Sequence, residues 1–275
     1  MRVPVALLLT ALFTLEGTRS DAQWIKWNDA NGTHQWSDPA NWIPARVPGK
    51  GDDGVDLASL PGPTITETIA EVKSFVSIGT RHDAMLTIGD GGRLTANVAV
   101  SLGCTHGVTG TLVMHPNSHL AANQVYVGNG GRAFGGKGRL ILNGGTIKCT
   151  HFSVLRARAL HSEAHVTLND GAIDCWDFYL NRDSIIPPRV DLRKGKIVQR
   201  RNDVARIQRW IHSKWIVAYN GKGDVNVVFD PPEHPDCTLV WATPRPPGHE
   251  SDARQQPTTN GSNNRDPTPA DPAAP

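Results

Sequence analysis

Two stretches decide the fold: RLILNGGTIKCTHFSVL (Arg139 to Leu155) and HVTLNDGAIDCWDFYL (His165 to Leu180). Each alternates apolar and polar residues, breaks at an Asn/Gly turn, and alternates again, which is the period-two pattern of strands with one face inward. In the first, Leu140, Leu142, Ile147, Cys149, Phe152 and Val154 point inward. In the second, Val166, Leu168, Ile173, Cys175, Phe178 and Leu180 occupy the same slots.

Working outward, related segments begin at Met85, Thr111 and Arg189. The first apolar anchors, Leu86, Leu112, Leu140, Val166 and Val190, recur at steps of 26, 28, 26 and 24 residues. A fainter rung precedes them, because Val76-Ser77-Ile78-Gly79 matches Val100-Ser101-Leu102-Gly103. A period in the twenties denotes stacked supersecondary units. The expectation is an all-β chain folded as a single-stranded, right-handed parallel β-helix of about five to six coils. A meander of hairpins is the rival, since LTIGDGGRLT also reads as two strands around a tight turn; the near-constant step favours the solenoid.

The ends differ in composition. Met1 and Arg2 precede an apolar run from Val3 to Leu15, and Ser20-Asp21-Ala22 supplies small residues for cleavage. Residues 1–22 are therefore read as a secretory signal, with cleavage after Ala22 and Ser20 as the competing site. Residues 23–62 hold Trp24, Trp27, Trp36 and Trp42, half of the eight Trp in the chain, and are read as an N-terminal cap, with an exposed sugar-stacking site as the alternative reading of the Trp cluster. Residues 63–200 carry the β-helix. Residues 201–242 form a small α/β C-terminal cap, with a helix starting at Asn202 or Asp203 and placing Val204, Ile207, Ile211 and Trp215 on one face. Strand-like stretches follow at 215–219, 225–229 and 238–241. Residues 243–275 contain no Val, Ile, Leu or aromatic residue and are expected to be a disordered Pro-rich tail.

The 275 residues carry 28 Lys+Arg against 26 Asp+Glu, a formal net charge of +2. That balance argues against nucleic acid or an anionic membrane surface as the main partner. No segment beyond the leader has the apolar length to span a membrane, so no membrane insertion is expected.

The front segment WSDPANWIPARVPGKGDDGVDL (Trp36 to Leu57), the G-x-L-x-[IVLM] rungs ending in V-x-[VIL]-G, and the closing GKIV…IQRWIHSKWIVAYNGKG…VNVVFD resemble secreted bacterial β-solenoid proteins with autotransporter-associated-type β-strand repeats. The resemblance covers roughly Trp24 to Ala242. It implies a secreted or cell-surface protein on a pectate-lyase-like solenoid, in a group whose members mostly have no assigned activity.

Several constellations bear on function. On the strand ending each rung the outward residues are Ser101, Tyr126, Ser153 and Tyr179. Tyr126 and Tyr179 on alternate coils, with Asp177 and Ser153 as polar partners, form a candidate polysaccharide-stacking ladder. A calcium-assisted lyase would need acidic ligands and a basic residue on one face; Asp174 and Asp177 with Arg182 and Arg189 are the candidates. Lys148 over Asp174 reads as a surface ion pair. Cys149 and Cys175, at matching points of adjacent rungs, are read either as a disulfide or as two buried thiols. His115/His119 and His161/His165 have the i,i+4 spacing of a metal pair, but fall in turns of a β repeat, so no metal site or cofactor is expected. The reading is a non-enzymatic structural or adhesion solenoid of the cell surface or extracellular matrix that binds polysaccharide, with the lyase as the alternative.

Overall fold

The alternating segments pair coil to coil and do not fold back on themselves. In a computed structural model that describes residues 23–66, 68–129, 135–155, 161–181 and 184–246, Leu112, Leu140 and Val166 stand in one parallel register. The leader and nearly all of the tail lie outside the described residues. The described residues up to Pro244 belong to one compact unit. The unit is an all-β solenoid of about seven turns of stacked parallel strands.

The turns contribute strands to three sheets, all three in the middle of the stack and fewer at its ends. The first sheet runs through Thr64–Ile65, Ala84–Ile88, Thr109–Met114, 137–142, 163–168, Arg189–Leu192 and Ile216–Ala218. The second runs through Ile69–Val72, 93–96, 119–122, 146–149, 172–175 and Lys196–Gln199. The third runs through Trp24–Trp27, Gly54–Leu57, Phe75–Ile78, 99–102, 124–127, 151–154 and 177–180. The hairpin alternative fails because 137–154 passes its Gly144-Gly145 turn and keeps parallel partners on both sides.

The stack is longer than the expected five to six coils, because the Trp-rich segment read as a cap also supplies the first two rungs of the third sheet. Ile25 aligns with Val55 and Val55 with Val76. The thirty-residue step from Ile25 to Val55 breaks the period, since the intervening chain leaves the stack to close its end. There Trp42 packs edge-on against Trp27 and Trp36, with ring centroids 4.9 and 4.8 Å apart. Trp42 Nε1 donates to the Trp36 carbonyl at 2.8 Å, and Trp27 Nε1 to that of Pro61 at 2.9 Å. Those two indole donors are satisfied, whereas the buried Trp36 Nε1 has no hydrogen-bond partner among the described residues.

Inside, like residues form columns. Val76, Val100, Val125, Phe152 and Phe178 follow one another on the third sheet, and all are fully buried. Burying such a side chain contributes about 1.5–3 kcal/mol, so each coil is held by its neighbours. At the far end Trp210 meets Phe178 edge-on at 5.9 Å. Trp210 sits in the helix Val204–His212, where it and Ile207 are the buried residues. Trp215, expected on that helix, lies beyond its end. The strand Thr238–Pro244 then covers the second sheet, pairing antiparallel with Lys196–Gln199 and with Gly223–Phe229.

The V-x-[VIL]-G pattern marks the corner from the third sheet to the first sheet of the next coil. Gly79, Gly103 and Gly128 all take positive φ there, and a Cβ on Gly103 would sit 2.3 Å from the Lys137 carbonyl oxygen. Leu155 holds the equivalent corner of the next coil at φ 63 and is fully buried. Gly103→Ala is expected to cost about 2–4 kcal/mol from left-handed strain and overpacking together, read by chemical denaturation.

Asp52, only 1% exposed, secures the N-terminal end by accepting from Arg46 through both guanidinium nitrogens and from the Gly49 amide at 2.8 Å. Burial alone would raise its pKa, but Arg46 and Gly49 outweigh that and hold it below the usual carboxylate value. A depressed folded pKa means the stabilisation is complete above about pH 4, the unfolded value, and fades as pH falls through the folded one. The stability gap between wild type and Asp52→Asn is expected to be flat from about pH 5 to 8 and to shrink at lower pH.

Candidate functional site

The third sheet presents two outward rows. One reads Trp24, Gly54, Phe75, Ala99, Gln124, His151 and Asp177; the other Lys26, Asp56, Ser77, Ser101, Tyr126, Ser153 and Tyr179. The expected alternation of Tyr126 and Tyr179 is therefore present in the register. The two tyrosines nevertheless stand in different surroundings.

Tyr179, on the last rung of the third sheet, packs against the C-terminal cap. The Arg206 guanidinium lies 5.7 Å from its ring centroid, and Trp210 meets it edge-on at 6.2 Å. Asp177 accepts from Arg201 at 2.7 Å and Arg206 at 3.0 Å, with His151 at 3.8 Å. Asp203 accepts from the same two arginines, and Arg206 also donates to the Phe178 carbonyl at 3.0 Å. The Ser153 hydroxyl donates to the Leu155 carbonyl at 3.0 Å. Asp177 and Ser153 thus hold the cap or the chain, while Tyr179, packed beside the cap, remains 41% exposed.

The opposite end of this sheet is open. Trp24 and Phe75 stack with centroids 6.3 Å apart and planes 7° from parallel, and each is about 40% exposed. Gly54 lies between them in the register, and a Cβ there would come within 2.8 Å of the Trp24 ring. The missing side chain is what lets Trp24 lie across that strand toward Phe75. Two coils further on, about 9.6 Å at the usual strand spacing, stands Tyr126, whose hydroxyl donates to Gln124 Oε1 at 2.6 Å.

Between these walls lies a groove of about 450 Å³ floored by Ser77, Ala99 and Ser101. Asn129 Nδ2 donates to Ser101 Oγ at 3.1 Å, fixing one edge of the floor. Cys104 also lines it; burial pushes its thiol up to about 11, so it stays protonated. Aromatic walls over a hydroxyl and amide floor suit a ligand with flat apolar faces and polar rims.

The residues read as a lyase constellation are dispersed. Asp174 lies on the second sheet, Asp177 on the third and Arg189 on the first, and Arg182 falls outside the described residues. Asp174 pairs with Arg200 through two contacts, 3.2 and 3.1 Å, in place of the expected Lys148. Among the described residues no group of three or more His, Cys, Asp or Glu could hold a metal ion. Cys149 and Cys175 are register partners on adjacent coils, and all four cysteines are free thiols. The thiol–thiol hydrogen bond with Cys149, and burial, push Cys175 up.

Fold and surface together define an all-β solenoid with an aromatic groove on one face. Comparison of the chain with protein-family models, with curated proteins and with solved structures gives no match. Among the described residues no helix is long and apolar enough to cross a membrane.

If Asp177 anchors the cap, Asp177→Ala is expected to lower stability by about 1–2 kcal/mol, because two partly buried arginines lose one of their two carboxylate acceptors and keep only Asp203. Asp174→Ala, which releases the more exposed Arg200, is expected to cost under about 1 kcal/mol. Denaturant titration of both variants checks the contrast.

Proposed function

We propose that this protein is a secreted or cell-surface β-solenoid of the autotransporter-associated repeat kind, acting in surface structure or adhesion by holding polysaccharide along its third sheet. The leader-like start and the order of the repeat motifs support the location. The observation that carries the binding reading is the exposed Trp24–Phe75 stack facing Tyr126 across a floor of serines.

The physical case rests on complementarity. A pyranose has an apolar face and a rim of hydroxyls. Trp24 and Phe75 offer apolar surface at one end of the groove, while Ser77, Ser101 and Gln124 offer hydrogen bonds beside it. The groove runs across parallel coils whose backbone is fixed on both sides, so little ordering is needed on binding. The Asp177 carboxylate at this sheet's far end is already engaged by Arg201 and Arg206, which favours retention of a glycan over its cleavage.

The test is affinity electrophoresis against a panel of neutral glycans, with the same samples assayed for released sugar ends. Trp24→Ala is expected to weaken retention about tenfold, equal to about 1.4 kcal/mol. Gly54→Val, which displaces the Trp24 ring, should reproduce much of that loss. Retention unchanged in a Trp24→Ala, Phe75→Ala, Tyr126→Ala variant overturns the assignment to this groove.

A further inference from the structure

The first sheet carries a feature the groove does not explain. Its outward row places Arg139, His165 and Arg189 directly beside one another on three successive coils, after Met85 and Thr111. All three are exposed. Neighbouring coils lie about 4.8 Å apart, so the two guanidinium stems are about 9.6 Å from each other with an imidazole between. Two guanidinium charges in one row, separated by a single imidazole, repel each other. The packing of the solenoid gains nothing from this row.

The nearest carboxylates do not neutralise it. Glu163 pairs with Lys137 at 3.1 Å, and Asp191 with Arg193 at 3.5 Å while also accepting the Asn220 amide at 2.7 Å. Neither Arg139 nor Arg189 makes an ion pair among the described residues. Arg189 donates to Asn220 Oδ1, a neutral contact that orients its guanidinium and leaves its charge unbalanced. Burial, the Arg139 charge and, behind them, the Arg189 charge hold the His165 imidazole below its usual pKa, with Glu163 opposing.

We infer that this row is a second binding surface, separate from the groove, for a linear polysaccharide bearing carboxylates at regular intervals. The geometry is that of a line: a flat sheet, three donors in file along the solenoid axis, and forked guanidinium groups at its ends. Guanidinium forks match carboxylates in a bidentate way. Their separation of two strand spacings suits acidic groups that recur along an extended chain, with His165 donating to the sugar between them. A nucleic acid fits less well, because its affinity is built from many phosphate contacts and the whole chain carries only +2.

The experiment uses the full chain and polygalacturonate, with its fully methyl-esterified form as the uncharged control on the same backbone. Wild type is expected to bind the free acid, more weakly as salt rises, and to ignore the ester. Arg139→Ala with Arg189→Ala is expected to lose at least tenfold in affinity, while its melting temperature stays equal to wild type or rises as repulsion is relieved. The Arg139→Lys, Arg189→Lys variant should keep part of the binding. In histidine NMR spectra the His165 pKa should rise when the polymer is added. Equal binding of acid and ester, unchanged affinity in the double Ala variant, or competition by duplex DNA as strong as by polygalacturonate overturns the inference. Neutral-glycan binding scored on the same variants reports on the groove alone, so the two failures are told apart.

Discussion

Every part of this molecule depends on parallel coils staying in register, so that a side chain in one coil meets its counterpart in the next. The main-chain ladder sets the spacing, and the inward columns decide whether the spacing is worth keeping. The column Val72, Ala96, Ala122, Cys149, Cys175 shows how far chemistry can drift while a slot stays small and apolar. It turns polar only at Gln199, where the coil meets the cap and the amide finds Asp203. The same rule acts on the outer faces. Whatever one coil displays is repeated or interrupted by the next, so surfaces of this fold are read as rows.

A stack of this kind must be finished at both ends by something other than another coil. At the N-terminal end the solution is apolar, a cluster of three indoles of which Trp27 and Trp42 direct their N–H groups at backbone carbonyls. At the C-terminal end it combines an edge-on indole with a network of two arginines shared between Asp177 and Asp203. Acidic residues on a solenoid surface invite a catalytic reading. Here Asp177 takes its partners from the cap, and its effect is to pin the helix Val204–His212 over the last rung of the third sheet.

The middle of the fold was legible in the sequence because alternation and a near-constant step coincide between Ala84 and Val198. The first two rungs were not, since Trp24–Trp27 and Gly54–Leu57 are separated by the chain that builds the cap. The candidate site followed the same division. The Tyr126–Tyr179 register could be read from the repeats, but the occupancy of Tyr179 is decided by Arg206 and Trp210, which lie outside them. The sequence offers sugar stacking as an alternative use of the Trp cluster, and the partner of Trp24 on that face can be found from the register. Ile25 and Trp27 alternate with Trp24 and Lys26, and placing Ile25 beside Val55 and Val76 puts Trp24 in line with Gly54 and Phe75.

The closing strand Thr238–Pro244 has a consequence for how copies of this protein can meet. All the strand pairs that stack one coil on the next run the same way, whereas this one runs against them. Its free side is already taken by Gly223–Phe229. A second molecule approaching end to end with its own first coil would meet reversed polarity and a filled edge at the second sheet. Head-to-tail polymerisation into a continuous fibre, the natural hazard of an open coil, is therefore blocked at that sheet by a single change of chain direction.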